Sequence, residues 1–113
     1  MEYLFVIWEG GEGAERSTPE EMMAEMAAYA GDLVGQGKLK GGAPLQPPAQ
    51  SATVRKRRGK VSAVDGPYIE TKEVIGGYFL VEADSIEEAV ELAKACPGAA
   101  YGAVEVREIM QVR

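Results

Sequence analysis

A carboxylate set into a sharp turn is the first feature of this sequence that could do chemistry. Asp65 precedes Gly66, Pro67 and Tyr68, and the polar run Glu70-Thr71-Lys72-Glu73 follows before Gly76-Gly77-Tyr78. Two readings of Asp65 stand side by side. In one, the carboxylate lies at a cavity mouth, where burial raises its pKa and lets it move protons. In the other it accepts backbone N–H groups and fixes the bend, while Gly66 permits unusual φ and Pro67 locks its own. A carboxylate held that tightly is also well positioned, so the two are compatible.

The neighbours carry the same duality. Glu70, Thr71 and Lys72 could orient a polar or anionic substrate, with Lys72 as the electrophilic partner. Lys72 could equally pair with Glu73 in solvent, where an ion pair contributes little. Tyr68 and Tyr78 suit stacking on an aromatic substrate or donating a phenolic hydrogen bond, and they suit plain packing as well. Trp8 fits a cavity wall or a core. Cys96, the single cysteine, ends a predicted helix, where the dipole disfavours a thiolate.

Histidine is absent from the sequence. That excludes Ser-His-Asp and Cys-His nucleophile systems and any histidine-ligated zinc. A transition-metal site would have to be made of carboxylates alone, so neither a metal nor a cofactor is expected. Proton transfer near neutral pH then falls to Asp, Glu, Lys, Tyr or Cys with a shifted pKa, or to bound water.

Charge is distributed unevenly. Residues 55–60 hold five basic side chains (Arg55, Lys56, Arg57, Arg58 and Lys60) in a chain of formal net charge −6. The bland reading of such a knot is a solvated hairpin tip. A duplex prefers a broad basic face, and the acidic remainder would repel it, which argues against nucleic acid as a partner. The longest apolar stretch, Leu4-Phe5-Val6-Ile7-Trp8, is far too short to cross a bilayer. Met1-Glu2-Tyr3 offers no basic leader, and a lone cysteine fits a reducing compartment, so a cytoplasmic protein is expected.

The elements that must hold these groups follow from periodicity. Residues 2–8 alternate as a strand with Tyr3, Phe5 and Ile7 on one face and Leu4, Val6 and Trp8 on the other. Both faces are apolar, so both call for cover. Thr18-Pro19-Glu20-Glu21 is a helix start, with Thr18 as cap and Glu21 completing a capping box. The predicted helix runs to about Val34, and its Met22-Met23-Met26 group reads as a core stripe ahead of an adaptable ligand surface.

Residues 38–50 predict at most one short strand and a proline-stiffened connection. Residues 52–57 and 60–64 predict a hairpin turning at Arg58-Gly59, and Gly76-Gly77 opens a strand over Tyr78-Phe79-Leu80-Val81. Asp84 or Ser85 caps a second helix whose inward set is Ile86, Ala89, Val90 and Ala93. Cys96-Pro97-Gly98 stops it, and residues 103–110 form a last strand with Val104 and Val106 on one face and Glu105, Arg107 and Ile109 on the other.

The order is that of a single α+β domain over 1–113, a ferredoxin-like sandwich with an inserted β-hairpin. Two helices cover one sheet face. The other predicts a homodimer in which two sheets close against each other around an internal cavity.

Several of these segments together resemble the YCII-related, DGPF-type family. They are the opening strand, Thr18-Pro19-Glu20-Glu21-Met22, Gly41-Gly42 with Leu45 and Pro48, Ala52-Thr53-Val54-Arg55, and above all Asp65-Gly66-Pro67-Tyr68 with the segments that follow it. Cys96-Pro97 and Val104-Glu105-Val106-Arg107 extend the likeness to nearly the whole chain. The family motif usually ends in Phe, where this chain has Tyr68. The resemblance implies a dimeric α/β barrel. It implies a small-molecule ligand, with cofactor-independent isomerase, lyase or monooxygenase chemistry at Asp65 as one possibility. A non-catalytic regulatory module, encoded beside an extracytoplasmic-function sigma factor, is the other. The His-Asp pair of some relatives cannot be carried over.

Overall fold

The computed structural model describes residues 1–112. Its strands are β1 (Glu2–Gly10), β2 (Leu39–Pro44), β3 (Ala52–Arg57), β4 (Lys60–Asp65), β5 (Glu73–Glu82) and β6 (Gly102–Glu108). The helices are α1 (Pro19–Gly35), α2 (Ile86–Lys94) and the short α3 (Gly98–Tyr101), with one 3-10 turn at Pro48–Gln50. Four strands make an antiparallel sheet in the order β2-β5-β1-β6, and β3 with β4 forms a separate two-stranded sheet. That is the ferredoxin-like α+β arrangement with a hairpin inserted between its second and third strands. Among the described residues the main sheet keeps two open edges and closes no barrel.

Alternation along β1 builds the core. Tyr3, Phe5 and Ile7 are buried, and with Val81 they meet Tyr29 and Leu33 of α1 and Ala89 and Ala93 of α2. Both long helices therefore lie on one face. The opposite face presents Leu4, Val6 and Trp8 with their ladder partners Leu80, Tyr78 and Ile75, and among the described residues no helix covers it. Glu105 and Arg107 of the edge strand β6 share that face, where Trp8 Nε1 donates to Glu105 at 3.1 Å.

The helix starts follow their local chemistry. Thr18 Oγ1 accepts from the Glu21 N–H at 3.1 Å, and Ser85 Oγ accepts from the Glu88 N–H at 3.2 Å. Each satisfies an amide that the helix geometry leaves without an internal partner. The hairpin turns where expected: Arg58 and Gly59 have φ of 53° and 79°, the two left-handed residues of a tight turn that matches strand twist.

Three expectations are corrected. Ile86 and Val90 do not point inward: they are 41% and 37% exposed, and α2 packs through Ala89 and Ala93. Alanines let the helix approach the sheet closely and turn the branched residues toward solvent. Gly76-Gly77 does not open β5, which begins at Glu73 and runs through both glycines. Gly76 is the extra residue of a bulge, since Ile7 pairs with Gly77 and Trp8 with Ile75. Finally, β6 spans Gly102–Glu108, followed by a hydrogen bond from the Ile109 N–H to the Glu2 carbonyl.

Candidate functional site

Two places on the molecule compete for function, and the structure keeps them largely apart. The first is the turn after β4. Asp65 pairs with Ala52 at the root of the hairpin and is exposed, and among the described residues its carboxylate accepts no hydrogen bond. The bend is held by other groups. Gly66, at φ 101°, donates its N–H to the Ser51 carbonyl at 2.7 Å, and Thr53 Oγ1 donates to the Gly66 carbonyl at 2.9 Å. Tyr68, 60% exposed, lies under the Arg55 guanidinium, whose carbon is 4.4 Å from the ring centre. Glu70 and Lys72 are exposed, Thr71 donates to the Glu73 carbonyl, and Glu73 lays its side chain across Gly11. Asp65, Tyr68, Glu70 and Lys72 thus belong to one exposed connection.

The second place is a cleft of about 520 Å³ between the first half of α1 and the β2–β5 side of the sheet. Its origin is local. At the helix-facing positions of these strands stand Gly42, Gly77 and Pro44, because their ladder neighbours Phe79 and Ile7 face α1. A Cβ on Gly42 would meet the Tyr78 carbonyl oxygen at 2.7 Å and Phe79 Cδ1 at 2.8 Å. The glycines let β2 and β5 approach and leave the floor without side chains. From above, α1 contributes Met22, Met23, Met26, Ala27 and Ala30. Tyr29 and Leu33, one to two turns further on, carry the helix packing instead.

Two charged residues stand at the edge of this apolar space, Glu9 and Lys40. Glu9, at the end of β1, lies beside the bulge, and its carboxylate sits where a Gly76 side chain would be. Lys40 is the extra residue of a second bulge, in β2, since Leu39 pairs with Val81 and Gly41 with Leu80. Bulges re-aim side chains and recur beside binding sites. Among the described residues neither Glu9 nor Lys40 forms an ion pair. Tyr101 closes one end, donating its hydroxyl to the Glu25 carboxylate at 2.8–3.0 Å. Behind Met26 the Cys96 sulfur lies 3.9 Å from the methionine sulfur, and burial pushes the Cys96 thiol pKa up, away from the reactive thiolate.

Of the candidate site residues Asp65, Tyr68, Glu70, Lys72, Tyr78 and Trp8, Tyr78 alone borders the cleft, along its backbone, since β5 turns its ring to the open face beside Val6. The Met22-Met23-Met26 group, expected as a core stripe first, forms the cleft wall. Trp8 lies on that open face too. The glycine pairs and the methionine group were the signals for the cleft: paired glycines inside a strand mark close approach, and clustered methionines form adaptable apolar walls. Among the described residues no three His, Cys, Asp or Glu side chains gather closely enough to hold a metal, and no helix is long and apolar enough to cross a membrane.

Comparison with known proteins adds the following. The model of a protein family described as the YCII-related domain matches residues 1–113. The chain is also 35% identical over 92 residues to a Rhizobium meliloti (strain 1021) protein described as "Uncharacterized protein R00369", a match spanning 80% of this chain and 74% of that one.

Proposed function

The chain belongs to the YCII-related domain family, and from that premise we propose that it is a small-molecule-binding homodimer whose ligand occupies the cleft beneath α1. One observation carries this reading: a cavity of about 520 Å³, walled by methionine, alanine and glycine, with two unpaired charged groups at its side. That size is typical of sites for small organic ligands, as is an apolar lining with few polar groups. The ligand has an apolar body that lies against Met22 and Met26 and a polar end that meets Glu9 or Lys40. The homodimer forms through the uncovered face of Leu4, Val6 and Leu80, since a sheet face of this composition favours burial.

Asp65 enters the reading as a candidate acid or base only in the assembly. In the single chain its carboxylate is exposed, and a second subunit lying over it would supply the burial that acid–base work requires. Tyr68, Glu70 and Lys72 would then orient a substrate from the same connection. Without that cover the protein is a binding module, and its role is regulatory.

The test uses the neutral apolar fluorophore N-phenyl-1-naphthylamine. Its fluorescence rises on titration with the protein, and Ala30→Phe, which fills the cleft from the helix side, removes the rise. Val90→Lys, on the far surface of α2, leaves it unchanged. Equal enhancement by the Ala30→Phe protein would exclude the cleft as the binding site.

A further inference from the structure

The β3–β4 hairpin is poorly accounted for by the chain that carries it. It pairs with no strand of the main sheet, and every residue of β4 is exposed. The Cα radius of gyration is 15.8 Å, against ~13 Å for a compact domain of this length, and the molecule measures 46 × 42 × 21 Å. At six residues a strand, the arm is about 20 Å long. A lone two-stranded hairpin is marginally stable in water, so an arm of this kind calls for a surface to lie on.

Its two faces differ. The register places Thr53, Arg55, Arg57, Lys60, Ser62 and Val64 on one side, where Tyr68 and the Gly66 carbonyl curl back under the root. The other side carries Ala52, Val54, Val61 and Ala63, with Lys56 and Asp65 at its ends. Nothing in the chain covers that apolar side among the described residues: Val54 and Val61 are each 67% exposed. At the tip Arg57 stands directly opposite Lys60. Like charges in that position destabilise a strand pair, unless an acidic surface faces them.

The chemistry of the missing surface is written in the rest of the chain. Residues 55–60 carry +5 within a total of −6, which leaves −11 on the remainder. We propose that the hairpin is a clasp that lies on the acidic body of a second copy of this chain. It sets its valine side against the partner, and at the tip Lys56, on that same side, and Arg58, in the turn, meet carboxylates such as Glu2 and Glu105, which border the uncovered sheet face. The arm leaves the body beside the first residues of β5, where Ile75 and Tyr78 are also exposed, so its apolar side continues the proposed sheet interface. The clasp rests on the homodimer reading and adds to it an electrostatic latch that sets orientation and salt dependence.

Sedimentation equilibrium of the full chain, read across ionic strength, tests this. For the wild-type protein the dimer dissociation constant rises at least ~10-fold between about 50 and about 500 mM NaCl, as screening removes the latch. Lys56 stands opposite Val61 and Arg58 lies in the turn, so Lys56→Glu with Arg58→Glu leaves the charge pairing between the two strands of the hairpin unchanged. It weakens the dimer at low salt by at least ~10-fold and removes that salt dependence. Hydrogen exchange of residues 52–65 gives a second readout: their amides are protected only above the dimer dissociation constant. A monomeric wild-type protein would overturn the homodimer reading, and the clasp with it. A dimer with unaltered affinity in the double variant, or with an arm that exchanges freely, would overturn the clasp alone. So would heparin binding by the arm that leaves the dimer intact.

Discussion

Tyr29 and Tyr3 are both buried phenols, and their hydroxyls meet different fates. Tyr29 donates to the Leu92 carbonyl at 2.6 Å and so ties α1 to α2, while its ring tilts against Phe79 at 5.7 Å between centres. The Tyr3 hydroxyl is buried with no hydrogen-bond partner among the described residues. Removing a made hydrogen bond costs about 1 kcal/mol, whereas removing an unpaired buried group costs nothing or stabilises. Urea unfolding should therefore find Tyr29→Phe destabilised by about 1 kcal/mol and Tyr3→Phe at or above wild-type stability. Burial pushes the Tyr29 pKa up, so the folded chain keeps a proton that the unfolded chain releases. That contribution is complete below pH about 10 and shrinks as pH rises further. Stability followed between pH about 9 and about 11 should fall with rising pH, and less steeply in Tyr29→Phe. A sequence marks both tyrosines as apolar-face residues. It does not say which hydroxyl finds a carbonyl 63 positions away.

At the scale of elements, each cap is a contract between residues three apart. Ser85 illustrates it, since its hydroxyl satisfies the Glu88 amide while the Glu88 carboxylate takes the Lys38 ammonium at 2.8 Å. Ser85→Ala should cost about 1 kcal/mol by chemical denaturation, with Ser85→Thr close to wild type. Such caps, the strand alternation of β1 and the turn at Arg58-Gly59 were legible in the sequence because their causes lie within a few residues. The face of α2 was not. Ile86 and Val90 share a stripe with Ala89 and Ala93, and only the way the helix packs into the core decides which pair is inside. The course of β5 is hidden from the sequence for a related reason. A Gly-Gly pair breaks an isolated strand, yet here β1 on one side and β2 on the other hold it in register.

The whole molecule is one covered sheet face and one uncovered face, with a basic arm and a cleft at the same end of β5. Leu80, opposite Leu4 on the uncovered face, is where a charge would do most damage to a sheet-to-sheet dimer and least to the chain itself. On the proposed homodimer, Leu80→Asp should sediment as a monomer at concentrations where the wild type forms dimers, with its far-ultraviolet circular dichroism unchanged. A dimer in that variant would rule out the uncovered face as the interface.

The sequence alone determined the order of strands and helices, the caps, the hairpin and the two-sided apolar character of β1. It also determined the family likeness carried by Asp65-Gly66-Pro67-Tyr68, and the absence of histidine excluded whole classes of mechanism. All of these are properties of neighbouring residues or of composition. The site was decided by tertiary structure. Asp65 lies on an exposed turn, while the cleft forms where Gly42 and Gly77 face Met22 and Met26 across the fold. Two bulges, each a single extra residue, lie at its edge: Gly76, beside the Glu9 carboxylate, and Lys40. A bulge exists only relative to a paired strand, and a cleft only between elements distant in sequence, so neither is a local property of the chain.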